Sequence, residues 1–126
     1  MRQVCIFQAF CYTCSLPAFS DAAEAIAEGG ATRLFGENGE PVSAPKQDAG
    51  FFDAIVQKKS TDAVFVGHDH LNHLAVRYRG VDLVYSRSID YIAYPKIAQQ
   101  RGHRAGTLIT VRQDGSFALS EVIYPD

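Results

Sequence analysis

Ala63-Val64-Phe65-Val66-Gly67-His68-Asp69-His70-Leu71-Asn72-His73 is the stretch that decides how this chain is read: an unbroken apolar run, a glycine, then three of the four histidines. An apolar run this short, closed by a glycine, predicts an interior strand at residues 63–66 covered on both faces. Gly67 permits a sharp turn, and open α/β sheets build their sites in the loops just beyond strand ends. Two imidazoles one residue apart on such a bent loop can face a single metal ion or two neighbouring ions. His68 and His70 are therefore candidate metal ligands, and Asp69 and Asn72 can orient imidazoles by hydrogen bonding. The bland alternative is a polar turn with solvated histidines.

Upstream of this stretch, residues 3–12 are rich in β-branched and aromatic types and end at Leu16-Pro17, which predicts a buried strand running into a loop. A helix follows, with Ser20 as N-cap, Glu24 and Glu28 among alanines, and Gly29-Gly30 as the stop. Residues 35–49 carry Gly36, Gly39, Pro41 and Pro45 without periodicity and predict a long surface loop. Phe51, Phe52, Ile55 and Val56 make the apolar stripe of a short helix ending near Ser60, with Asp48 as a candidate cap. Downstream, residues 76–78 and 81–85 flank Arg79-Gly80, and residues 107–111 and 117–123 flank Gln113-Asp114-Gly115, giving two hairpins. The predicted order is β-α-α-β-β-β-β-β: a single α/β domain over residues 1–126, with a mixed, largely antiparallel sheet and flanking helices.

Composition narrows the functions. The 126 residues are 47% hydrophobic and 21% charged, and 14 acidic against 12 basic side chains leave a formal charge of -2. With no basic stripe, nucleic acid is not an expected partner. No apolar run reaches the ~20 residues that span a bilayer, so a membrane is not expected either. Arg2, an apolar stretch over residues 4–14 and Ala18-Phe19-Ser20 loosely imitate a secretory signal, but Gln8, Thr13 and Ser15 interrupt it. Cys5, Cys11 and Cys14 are odd in number and confined to one end, unlike a disulfide framework, which makes a reducing cytoplasm the expected location. Cys11 and Cys14 have zinc-knuckle spacing without a second pair, so packed thiols are the simpler reading. Nucleophile-elbow, P-loop and dinucleotide-binding motifs are absent from the sequence.

Gly67-His68-Asp69-His70, Asn72, Tyr78-Arg79-Gly80, Tyr85-Ser86-Arg87, Tyr91 and Arg101-Gly102-His103-Arg104 together resemble, in order and spacing across residues 49–111, one branch of the calcineurin-like metallophosphoesterases. The resemblance implies a fold equivalent to the C-terminal half of a four-layer αββα sandwich. It also implies a binuclear centre of Fe, Mn or Zn, with His68 on one ion and His70 on the other, the pair clamping the oxygens of a phosphate ester during hydrolysis. Asp69 and Asn72 become outer supports. Arg87 becomes either a phosphate-holding group or an ordinary salt-bridge partner.

The departures from the family are specific. Its earlier motifs, Asp-x-His, Gly-Asp-x-x-Asp and Gly-Asn-His followed by an acid, do not occur, and with them go the bridging carboxylate and the catalytic histidine. The family's lone histidine before Leu-Pro-Glu aligns, through Leu16-Pro17, with Thr13, and Ala18 replaces the glutamate. Residues 1–20 read as altered sequence, consistent with a shifted frame or a misplaced start. Ser86, Ser88 and Asp90 stand where glycines are expected. The expectation is the C-terminal portion of a phosphoric-ester hydrolase, without a catalytic residue of its own and poorly active alone, completed by a missing N-terminal half or by self-association. A metal-free interaction or structural module derived from the same fold is the alternative. His73 is expected at the surface or behind a ligand, His103 in solvent, and Tyr78, Tyr85, Tyr91 and Tyr94 half-buried in sheets.

Overall fold

The computed structural model describes the backbone of residues 3–6 and the whole of residues 16–90, 92–93 and 104–124. Thr13, Cys11, Cys14, Tyr91, Tyr94, Arg101, Gly102 and His103 lie outside the described residues, as does the predicted continuation of the first strand to residue 12. The first strand, β1, is Gln3–Ile6. Helix α1 covers Pro17–Glu28, strand β2 Ala31–Phe35 and helix α2 Phe51–Lys58. Strands β3 (Thr61–Val66), β4 (Ala75–Tyr78), β5 (Val81–Tyr85), β6 (Ala105–Val111) and β7 (Phe117–Ile123) complete the set.

Five strands form one mixed sheet in the order β1-β3-β5-β4-β2, and β6 and β7 form a separate two-stranded sheet. β3 runs parallel to both β1 and β5, whereas β5 with β4, β4 with β2, and β6 with β7 are antiparallel. Residues 63–66 are therefore in an interior strand, buried on both faces. Val64 and Val66 point with Leu83 and Tyr85 toward Phe19 and Ala22 of α1 and Phe52 and Ile55 of α2. Ala63 and Phe65 point the other way, with Ala75 and Val84, and receive Ile109, Phe117 and Leu119 of the β6–β7 hairpin. The period-two alternation of a pleated strand thus feeds two half-cores from one apolar run. The layers run helix, sheet, sheet, compatible with the C-terminal half of an αββα sandwich.

Two readings of the sequence need correction. Helix α1 begins at Pro17, with Leu16 at the N-cap, four residues before the expected Ser20 cap. The proline read as a breaker starts the helix instead: its fixed φ suits the first turn, where its missing N–H would have no partner anyway. The C-terminal stop at Gly29 is as expected, with φ 76. The second correction is β2, an edge strand absent from the predicted order, which gives β-α-β-α before β3. Its central residues Thr32, Arg33 and Leu34 are exposed, so it lacks the apolar alternation by which a strand is recognised; pairing with β4 defines it.

Helix α2 is capped from behind. Gly50, at φ 74, is the N-cap, and Asp48 Oδ1 accepts the Gly50 N–H at 2.8 Å rather than bonding into the helix itself. Asp53 in the first turn and Lys58 in the last complement the helix dipole. The β4–β5 hairpin turns at Arg79 (φ 50) and Gly80 (φ 83), the doubly left-handed pair that a two-residue hairpin loop requires.

Candidate metal-binding site

Beyond the end of β3 the chain turns sharply, and the residue in the left-handed region is His68, at φ 84. The sequence reading assigned that turn to Gly67. Gly67 is not left-handed, and a Cβ there would meet nothing within 4 Å. A histidine held at positive φ costs an L-residue roughly 1–2 kcal/mol, and such strain persists only where the surroundings impose it, most often at functional sites. His68 is exposed and His70 partly so. Both line one cavity of about 400 Å³, together with Phe65, Ser86, Arg87 and Ile89.

What imposes the strain is the residue between them. Asp69 is 2% exposed. Its Oδ2 accepts the Tyr85 hydroxyl at 2.5 Å, the Ser43 backbone N–H at 2.9 Å and, at 3.5 Å, the Asn72 amide. The Tyr85 bond has the length of a charge-assisted O–H···O⁻ contact, and its ring packs on Phe19 with centroids 4.6 Å apart. Asp69 is thus anchored in the core between two histidines displayed outside it.

Asn72, 1% exposed, extends the anchorage. Its Oδ1 accepts the Glu40 N–H at 2.9 Å, while Glu40 Oε1 accepts the Leu71 N–H at 2.8 Å. The Gly39 N–H donates to Leu71 O and the His73 N–H to Glu37 O. The loop at residues 36–43 therefore clasps the histidine turn from outside. The clasp needs Gly36: it sits at φ 71, and a Cβ there would come within 2.0 Å of His73 O.

The hydrogen bonds of Asp69 and Asn72 run to this clasp, to Tyr85 and to each other rather than to an imidazole. The carboxylate beside His70 is Asp90, whose Oδ2 lies 2.9 Å from His70 Nδ1. Hydrogen bonds from the Ile92 N–H and from His70 hold its carboxyl down at about 2. Arg87 lines the cavity, yet its guanidinium is engaged with Glu121 of β7, Nε to Oε1 at 2.5 Å and Nη2 to Oε2 at 3.4 Å. This is the salt-bridge reading of Arg87. His73 is buried rather than at the surface, its Nδ1 3.4 Å from the same Glu121 oxygen. Tyr85 is fully buried, whereas Tyr78 stacks half-exposed on Phe52 at 5.8 Å.

Glu40 and Glu121 carry no motif spacing and Asp90 stood out only as a replaced glycine, because each acts on a partner 20 or more positions away. Gly36 and Gly39, where a Cβ would run into the histidine turn, were the visible signals of the clasp. As metal donors, two neutral imidazoles on one cavity wall suit Zn, Mn or Fe in kind. They are too few for two ions: among the described residues no group of three or more His, Cys, Asp or Glu could hold a metal. Nor, among the described residues, is any helix long and apolar enough to cross a membrane.

The chain is similar to two plant proteins over about half its length. "Probable inactive purple acid phosphatase 29" of Arabidopsis thaliana is 35% identical over 65 residues, 52% of this chain and 17% of that protein. "Probable inactive purple acid phosphatase 14" of the same plant is 30% identical over 70 residues, 56% of this chain and 18% of that protein. The chain thus spans less than a fifth of the length of these relatives. Purple acid phosphatases belong to the metallophosphoesterase superfamily, so the partial relatives lie in a phosphoesterase-like family. No protein-family profile matches the chain, and no solved structure does.

Proposed function

We propose that this chain is the C-terminal portion of a metal-dependent phosphoric-ester hydrolase and supplies one wall of its metal site through His68 and His70. The observation that carries this reading is the pair of histidines on one cavity wall beyond the carboxyl end of an interior strand, the first of them held in a strained conformation. The partial similarity to proteins named as purple acid phosphatases supports it. Bound metal would supply Lewis acidity toward phosphate oxygens. This chain's own residues hold the two imidazoles apart from the core, with Asp69 as the anchor between them.

The remaining ligands, and with them the phosphate-ester substrate, would come from an N-terminal half that carries the family's earlier motifs or from a second copy. Two neutral imidazoles do not offset the mutual repulsion of two neighbouring divalent ions, so the chain alone binds a single ion, weakly. Its hydrolysis of an aryl phosphate is accordingly at background. An assay of the purified chain with Zn²⁺, Mn²⁺ or Fe²⁺, beside His68→Ala and His70→Ala, tests this. Metal-dependent turnover that disappears in both variants would show that the site is complete without further residues. A metal-free interaction module is the second reading, favoured by the shortfall of donors and by the word "inactive" in the relatives' names.

A further inference from the structure

His70 touches a carboxylate that neither the turn sequence nor any motif points to. The contact, 2.9 Å from Nδ1 to Asp90 Oδ2, joins a ring that is 33% exposed to a carboxylate that is 15% exposed. An ionised carboxylate can only accept a hydrogen bond, so the hydrogen between them sits on Nδ1, and in the neutral ring the lone pair is then on Nε2. Asp90 is itself held on several sides. Its Oδ1 accepts the Ile92 N–H and its Oδ2 the Ala93 N–H, each at 2.9 Å, while its own N–H donates to Ser88 Oγ at 3.1 Å. Ser88 O in turn accepts the Ala105 N–H at the start of β6. The carboxylate is therefore fixed before any ligand arrives.

We propose that Asp90 is the positioning residue of His70: by accepting the Nδ1–H it holds the imidazole in the tautomer whose Nε2 lone pair can ligate a metal ion. This rests on the reading of His70 as a ligand. A carboxylate behind a ligating histidine fixes the ring's orientation and raises its basicity, and loss of such a partner costs about 10- to 100-fold in metal affinity. Asp69, adjacent in sequence, instead turns its Oδ2 to Tyr85 and Ser43.

The test is a long-range ¹H–¹⁵N correlation spectrum of the imidazoles in the whole chain, without metal, at pH 8. The His70 signals are assigned by their loss in His70→Gln. The expected result is His70 as the Nδ1–H tautomer in the wild type, a shift toward Nε2–H in Asp90→Ala, partial restoration in Asp90→Glu, and an unchanged His73. Zinc affinity, with Zn²⁺ alone as the probe, should fall about 10- to 100-fold in Asp90→Ala. Wild-type His70 in the Nε2–H form, or an unchanged tautomer in Asp90→Ala, overturns the proposal; should that variant not fold, the wild-type spectrum alone decides. A tautomer governed by Asp90, with no zinc bound by any variant, upholds the positioning and overturns the metal reading instead.

Discussion

The two ends of the five-stranded sheet are both hollow, and the larger hollow is not the one with the paired histidines. At the amino end of β3 a cleft of about 740 Å³ is lined by Asp62, Arg77, Asp82 and the β6–β7 turn. At the carboxyl end the histidine cavity is about 400 Å³. In the larger cleft the charges satisfy each other: Arg77 and Asp82 are direct cross-strand neighbours, joined by two hydrogen bonds of 2.7 and 2.9 Å that raise the Arg77 pKa. Its neighbouring backbone irregularity, Arg79 at φ 50, is what a two-residue hairpin demands. At the other end His68 has the same unusual handedness with no hairpin to require it, and the buried carboxylate beside it is bound to a loop and a tyrosine from elsewhere in the chain. Strain that local geometry explains carries no functional information; strain imposed by long-range contacts does.

The sharpest way to break this comparison is a methyl group on a left-handed glycine at each end. Gly36→Ala drives a Cβ against His73 O, whereas Gly80→Ala, at φ 83, meets nothing within 4 Å. We expect Gly36→Ala to lose about 4 kcal/mol, the sum of backbone strain and overpacking, and Gly80→Ala about 1 kcal/mol, from strain alone. Urea denaturation checks both; equal losses would mean that the clasp yields easily.

Buried carboxylates make the second contrast. Asp69→Ala strands the Tyr85 hydroxyl and the Ser43 N–H, and should cost about 3 kcal/mol. Asp82→Ala leaves only Arg77, whose side chain is 59% exposed and regains water, for a cost of about 1 kcal/mol. Thermal melts that ranked the two the other way would contradict the anchoring role of Asp69.

Strain relief gives a smaller effect of opposite sign. His68→Gly should stabilise the chain by about 0.5–1 kcal/mol while removing the proposed ligand. Arg79→Gly should be nearly neutral, because it also gives up the 2.6 Å pair with Asp53 and the contact with the Phe52 ring. Paired denaturation curves test this, and a destabilised His68→Gly would place His68 among ordinary supporting residues.

The smallest expected effect lies in the β6–β7 turn. Hydrogen bonds from the Ser116 side chain and backbone lower the Asp114 pKa, so its contribution to stability is complete above the unfolded value of ~3.9 and is lost as pH falls through the lower folded value. A pH titration comparing the chain with Asp114→Asn should show their difference shrinking only on the acid side of that range.

Much of the architecture was legible because it is written locally. The run at residues 63–66, the Arg79-Gly80 turn and the stripe of α2 each combine period with a turn residue, and each lies where the spacing predicts. β2 was not legible because an exposed edge strand has no apolar face to repeat, and the start of α1 was obscured by a proline that serves equally as a breaker and a first helical residue. At the site, His68 and His70 could be named from their spacing. That the left-handed residue is His68 rather than Gly67, and that Asp90 rather than Asp69 meets the His70 ring, depends on contacts with Tyr85, Ser43 and the loop after β5, which no local pattern encodes.

The central claim, that His68 and His70 together form a metal-binding wall, is tested most directly by calorimetric titration of the chain with Zn²⁺ beside His68→Ala and His70→Ala. The account predicts weak binding of at most one ion per chain, lost in either variant and weaker in acid, where protons compete with metal for imidazole. Zinc binding that persists unchanged in both variants would contradict it.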